Sequence, residues 1–110
     1  MSVTFVNCFE VPAGREDDFF ARWQDVNAHM RTRAGYEGHR LYRSLAPDAR
    51  FRFVNVARWA SPAAVAAAHD EEFRTLVSGP EWAEVASTPA VYEQVHAGTA
   101  PDDVAGAATG

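Results

Sequence analysis

The chain predicts an α+β fold, one four-stranded antiparallel sheet with its helices on one face. Three observations predict it. Residues 3–10 (VTFVNCFE) and 51–59 (FRFVNVARW) alternate with the period of a strand. Phe19, Phe20, Trp23, Val26, Asn27 and Met30 recur at helical spacing and define a buried stripe. The punctuation between these segments orders the elements as strand, helix, strand, strand, helix pair, strand.

The first strand, 3–10, is broken by Pro12-Ala13-Gly14. Glu16, Asp17 and Asp18 then place acids in a first helical turn, where they suit the helix dipole, and the helix is expected to end near Arg33, before Gly35. Residues 38–45 (GHRLYRSL) form the second strand, Ala46-Pro47-Asp48-Ala49 a turn, and 51–59 the third strand. Ser61-Pro62 starts a helix, with serine as N-cap and proline at the first helical position. Asp70 caps a second short helix carrying Phe73, Leu76 and Val77, which Ser78-Gly79-Pro80 stops. One further turn carries Trp82, and Thr88-Pro89 leads into a last strand over 90–96. Residues 1–97 form one domain, and 98–110 (GTAPDDVAGAATG) read as a flexible C-terminal tail.

Alternation sorts the side chains of the strands onto two faces. Val3, Phe5, Asn7 and Phe9 share one face, as do Phe51, Phe53, Asn55, Ala57 and Trp59; each set is apolar apart from one asparagine. A carboxamide aimed into an aromatic interior is costly unless it is hydrogen-bonded. The pattern points to a pocket in which amides hold a polar atom of a mostly apolar ligand; amides that only cap backbone groups or a buried water are the alternative. The opposite face carries Thr4, Val6, Cys8 and Glu10 with Arg52, Val54, Val56 and Arg58, apolar at its centre and polar at its ends. A second copy packed sheet against sheet is the economical cover, so a homodimer is expected, with Arg52 and Arg58 pairing across it or meeting solvent.

Composition excludes several functions. At 110 residues with net charge −5, the chain is a single domain and a poor partner for nucleic acid. Its ten basic residues are all arginine, which removes lysine Schiff-base chemistry and the phosphate-loop lysine. His29, His39, His69 and His96 are scattered without zinc spacing, so no metal is expected. No apolar run approaches the roughly 20 residues that span a bilayer, so no membrane partner is expected. The lone Cys8 and the absence of a signal-peptide pattern fit a cytoplasmic protein.

The segments VNCFEVPAGREDDFFARW (Val6 to Trp23), RAGYEGHRLYR (Arg33 to Arg43), FRFVNVARWASPAAVAAAH (Phe51 to His69) and VYEQVH (Val91 to His96) resemble, in order and spacing, the antibiotic biosynthesis monooxygenase family. The resemblance implies a ferredoxin-like, dimeric α+β barrel. It also implies a monooxygenase that oxidises polycyclic aromatic or phenolic polyketide-type intermediates with dioxygen as co-substrate and no bound cofactor. Some members of the wider group bind and degrade heme. In the anthrone-oxidising subgroup an asparagine and a tryptophan four residues apart on the third strand carry the site, and Asn55 and Trp59 match them. A tyrosine that some members place six residues after this tryptophan falls at Val65. The heme-degrading subgroup has a first-strand asparagine, matched by Asn7, but its tryptophan falls near Ala68 and its histidine near Val77 or Ser78. Heme degradation by that subgroup's residues is therefore disfavoured; a heme-binding or heme-degrading protein of the same fold, with His69 as the residue left to hold heme, is kept as the alternative, and a non-catalytic ligand-binding or interaction domain as a third reading.

On this reading Asn55 holds the substrate oxygen and Asn7 makes a second contact to substrate or dioxygen. Trp59 stacks on the substrate or guides oxygen. His69, after a helix, is the candidate proton acceptor at the pocket mouth. Tyr36 and Arg40, beside the Gly35–Gly38 turn, border the pocket, and Phe53 and Trp82 line it. Core packing is the alternative role for Trp59, Trp82 and Trp23. His39 and His96 are read as structural or exposed, and His29 as solvated.

Overall fold

In the computed structural model, residues 1–101 are described. The elements are β1 (Val3–Glu10), α1 (Glu16–Met30), β2 (Tyr36–Arg43), β3 (Phe53–Trp59), α2 (Pro62–Ala68), α3 (Glu71–Leu76), a 3₁₀ turn at Pro80–Trp82, and β4 (Ala86–Tyr92). The strands form one antiparallel sheet in the order β2-β3-β1-β4, the ferredoxin-like arrangement. Of the expected tail, residues 98–101 are exposed and carry no regular structure, and 102–110 lie outside the described residues.

The inner faces of β1 and β3 carry the core. Phe5 pairs with Ala57, Asn7 with Asn55 and Phe9 with Phe53 across the ladder. Val3, Phe5, Ala57 and Trp59 pack with Met30, Val65 and Ala68 from the helices. Phe9 and Phe53 pack with Phe19 and Trp23 of α1. The helical stripe of α1 is narrower than expected: Phe20 is 44 % exposed and stands outside the core.

Local chemistry sets the helix starts. Ser61 Oγ accepts from the Ala64 N–H at 3.0 Å, with Pro62 in the first turn of α2. The Asp70 carboxylate accepts from the Phe73 N–H at 3.0 Å and opens α3. α1 ends at Met30, short of Arg33, because Thr32 and Arg33 fold into a turn whose N–H groups donate to the carbonyls of His29 and Met30. Arg52, expected at a dimer contact or in solvent, holds the β2–β3 connection instead. Its guanidinium donates to the carbonyl oxygens of Ser44 (2.9 Å), Ala46 (2.8 Å) and Pro47 (2.9 Å).

Two strands differ from expectation. The last strand is Ala86–Tyr92, not 90–96, and Thr88-Pro89 lies inside it rather than before it. β4 is an edge strand, where alternate N–H groups point away from the sheet, so a residue without an N–H is accommodated. β2 starts at Tyr36, not residue 38, and carries a bulge: Tyr36 pairs with Trp59 and Gly38 with Arg58, leaving Glu37 as the extra residue. The bulge reverses the alternation. Tyr36 and His39, three apart, thus come to the same inner face.

The outer face of the sheet has half-buried Val6, Cys8, Val54 and Val56 at its centre. Register places Arg40 opposite Val56 and Tyr42 opposite Val54, so both belong to this outer face.

Candidate functional site

Between the inner face of the sheet and the helices lies a cavity of about 230 Å³. β1 contributes Phe5, Asn7 and Phe9, β3 contributes Asn55, Ala57 and Trp59, and β2 contributes Tyr36. Trp23, Val26, Asn27 and Met30 of α1 close one side. His69, Phe73, Val77 and Trp82 close the other. The cavity adjoins a shallower depression that shares Phe5, Asn7, His69 and Phe73 with it and runs out over Val65 and Pro89.

Three polar atoms on this wall are buried without a hydrogen-bond partner: Asn7 Oδ1, Asn55 Oδ1 and Trp59 Nε1. Asn7 and Asn55 face each other across the β1–β3 ladder. Trp59 is 2 % exposed, its ring packed edge-on against Tyr36 with centroids 5.3 Å apart. An unpaired buried polar group costs about 1–3 kcal/mol, so three on one apolar wall mark a place suited to a polar atom of a ligand rather than to packing.

His69 sits where α2 hands over to α3. Its Nδ1 lies 2.7 Å from the Val65 carbonyl oxygen, which can only accept. Nδ1 therefore carries the proton, and in the neutral ring Nε2 is the free acceptor. The ring packs on Phe5 and Phe73 at centroid distances of 5.0 and 4.7 Å. Phe73 is itself set by the Asp70 cap, by ion pairs of Arg33 with Asp70 and with Glu72 at 3.9 Å, and by a contact of His29 Nδ1 with the Glu72 carboxylate at 3.8 Å, which tie α3 to the end of α1. The Phe73 N–H, and then Arg33, hold the Asp70 carboxyl below the usual carboxylate range. His29, read as solvated, is in fact half-buried, with Nε2 lacking a partner.

The Tyr36 hydroxyl is hydrogen-bonded to His39 Nδ1, and the His39 ring stands edge-on to Trp23 at 5.3 Å. Burial pushes the Tyr36 phenol up, against a smaller opposing effect of Arg31. Burial, aided by the Arg31 charge, pulls His39 down. Both groups are therefore neutral near pH 7.

Asn7, Asn55, Trp59, His69, Tyr36 and Trp82 thus line one cavity. Arg40 and Phe53 do not. Arg40 lies on the outer face for the register reason given above and borders a groove at the β2 edge. Phe53 is 4 % exposed and packed against Phe19, with ring centroids 4.8 Å apart, so it supports the cavity wall from within the core. His39 was missed as a partner of the site because the bulge hides its parity; Gly38 beside it was the only signal. Asn27, a further carboxamide on the cavity wall, was visible in the stripe of α1 but read only as core.

Among the described residues, no group of three or more His, Cys, Asp or Glu side chains converges as a metal site. None of their helices is long and apolar enough to cross a membrane.

Several solved structures share this fold. A candidate monooxygenase from Shewanella loihica PV-4 superposes with a TM-score of 0.76 at 26 % identity, over 87 % of this chain and 96 % of that one. SnoaB, a cofactor-independent oxygenase from Streptomyces nogalater, superposes with a TM-score of 0.72 at 25 % identity, over 92 % and 98 %. MhuD, solved as a mutant with two manganese protoporphyrin IX per active site, shares the fold at 21 % identity and a TM-score of 0.70, over 88 % and 98 %. None of the curated protein sequences matches significantly. The family model for antibiotic biosynthesis monooxygenase matches residues 2–78, which takes in β1 to β3, α1 to α3 and most of the cavity wall, and the chain belongs to that family.

Proposed function

We propose that this protein is a cofactor-independent monooxygenase that oxidises a polycyclic aromatic or phenolic, polyketide-type intermediate with dioxygen. One observation carries the reading. Asn7 and Asn55 face each other across the β1–β3 ladder and present unpartnered, buried amide oxygens to an aromatic cavity. Ground-state dioxygen is a triplet and reacts slowly with closed-shell molecules. An electron-rich enolate or phenolate evades this by giving up one electron, after which the two radicals recombine. The protein's task is to hold a flat aromatic, favour its anion and exclude water. Asn55, with an N–H donor and an oxygen acceptor on one amide, suits the substrate oxygen on which that charge develops. Asn7 offers a second contact, and Trp59 supplies a flat wall with one free N–H. The similarity to SnoaB over nearly the whole chain supports the same reading.

At about 230 Å³ the cavity lies under the usual range of roughly 300–1,000 Å³ for drug-sized ligands. It suits the reacting rings of the substrate, with the remainder passing His69 and Phe73 into the adjoining depression. Heme fits less well. Neither the cavity nor the depression has an arginine on its wall to meet two propionates; its one basic side chain is His69. The expected result is oxygen uptake with a model anthrone, without added metal, flavin or heme, and no Soret shift on titration with hemin. A Soret shift together with no oxygen uptake would replace this reading with the heme-binding one.

We also propose that the protein works in the cytoplasm as a homodimer. Val6, Val54 and Val56, with the exposed rings of Tyr42 and Tyr92 beside them, form an outer sheet face suited to a second copy. Sedimentation at micromolar concentration should give twice the mass of the chain; a single species of one chain mass would remove the dimer.

A further inference from the structure

We infer that Tyr36 and His39 form a two-residue proton path through the wall of the cavity, with Tyr36 receiving the proton that the substrate loses and His39 receiving the proton that Tyr36 gives up. The inference rests on the proposed function and names the proton acceptor for that site.

The geometry carries it. Tyr36 lines the internal cavity. His39 does not; it lines a separate groove at the β2 edge of the sheet, beside exposed Phe20, Arg31 and Arg40. The hydrogen bond between the Tyr36 hydroxyl and His39 Nδ1 therefore joins the inside of the cavity to the outer groove. Only the bulge at Glu37 brings the two side chains to one face, and a bulge that re-aims a side chain beside a cavity is more than a pairing defect.

The protons balance. A C–H or O–H bond of the substrate breaks, its electron pair stays on the substrate as enolate or phenolate, and the proton bonds to Tyr36 Oη. In the same step the Tyr36 hydroxyl proton moves to His39 Nδ1. Tyrosine ends as it began, and the products are a substrate anion and an imidazolium. The raised phenol does not release a proton without receiving one, which favours the coupled transfer over a free tyrosinate. The charged groups around the pair are few. α1 is followed by Arg31, Arg40 and Tyr42 of β2 share the groove, and β3 contributes only the uncharged Ala57 and Trp59. Burial and the Arg31 charge disfavour a lasting imidazolium and drive its proton on to water in the groove. His69, across the cavity, is the competing acceptor through Nε2.

Proton loss can be measured apart from oxidation. Under nitrogen in deuterated buffer, the wild-type protein is expected to exchange the methylene protons of an anthrone faster than buffer does. Tyr36→Phe and His39→Gln should each slow this exchange about a hundredfold, the usual scale of a positioned proton acceptor. The double variant should be no slower than either single one, since both act in series. His69→Gln is made alongside them as the test of the competing acceptor. Quenching of tryptophan fluorescence by anthrone, and thermal melting, check that each variant still binds and folds; should Tyr36→Phe not fold, His39→Gln alone decides. Exchange at the wild-type rate in a folded, binding variant overturns the path, as does the absence of exchange by the wild type or loss confined to His69→Gln. Exchange by the wild type that slows in both single variants, without oxygen uptake, supports the path and overturns the proposed oxidation. Oxygen uptake unchanged in Tyr36→Phe keeps the oxidation and overturns the path.

Discussion

Asn55→Ala is expected to lower turnover of an anthrone by about a hundredfold or more, the usual loss when one donor to a developing oxyanion is removed, while leaving the melting temperature nearly unchanged. The two halves of this expectation come from one fact. Asn55 Oδ1 is buried and has no partner in the fold. A side chain whose polar atoms served packing would lose a hydrogen bond on truncation and destabilise the protein. Here truncation also removes a desolvation penalty of about 1–3 kcal/mol, which offsets the loss of van der Waals packing around the amide and leaves a somewhat larger cavity. Asn7→Ala should act in the same direction. Because the two amides are opposite each other on adjacent strands, the double variant should lose less than the product of the single losses. Oxygen uptake and thermal melting on the same samples test this. Wild-type turnover in a folded Asn55→Ala protein rejects the assigned role, and a large drop in stability with turnover lost in proportion makes Asn55 structural.

How much of this was legible in the sequence depends on the kind of signal. The alternation in VTFVNCFE and FRFVNVARW is local, and it put Asn7, Asn55 and Trp59 on an apolar inner face before any pairing was known. Their meeting across one ladder follows from register, a long-range property that alternation does not encode. The caps at Ser61 and Asp70 were legible because a cap is a contact over three residues. The misreadings share a physical cause. A bulge changes parity without changing composition, so Arg40 was assigned to the wrong face and His39 was set apart from the site. Pro89 reads as a strand breaker unless the strand is known to be an edge, and edge position is a property of the whole sheet. Phe53 and Trp59 alternate alike along β3, yet Phe53 meets Phe19 and Trp59 meets the cavity, because the wide α1 ring stack covers only one end of the strand.

Gly35→Ala should be the most destabilising single methyl addition in the domain, and the reason lies in where three elements meet. Gly35 precedes β2, its carbonyl accepts from the Ala60 N–H at 2.8 Å just beyond β3, and its φ is +87°. An L side chain at such a φ costs about 1–2 kcal/mol. A Cβ there would also stand 2.6 Å from Ala64 Cβ in the first turn of α2, closer than two methyl carbons approach. The strain of forcing a methylene into a packed contact is about 1–3 kcal/mol, so the sum is roughly 2–5 kcal/mol. Gly14 separates the two parts. Its φ is +85°, but a Cβ there meets nothing within 4 Å. Gly14→Ala should therefore lose only the conformational part, about 1–2 kcal/mol. The difference between the two variants in denaturant unfolding measures the close approach of α2 to the sheet, and equal losses would refute it. The effect should also reach the site. α2 bears Val65, whose carbonyl fixes the His69 ring, and its buried Ala68 packs on the same core as Trp59. Lifting α2 by the roughly 1 Å needed to bring two methyl carbons from 2.6 Å to contact distance moves one wall of the cavity against the other. Gly35→Ala protein that is still folded at low temperature should then bind anthrone more weakly than Gly14→Ala protein does, and equal binding would show that the cavity is held by the sheet and α1 alone.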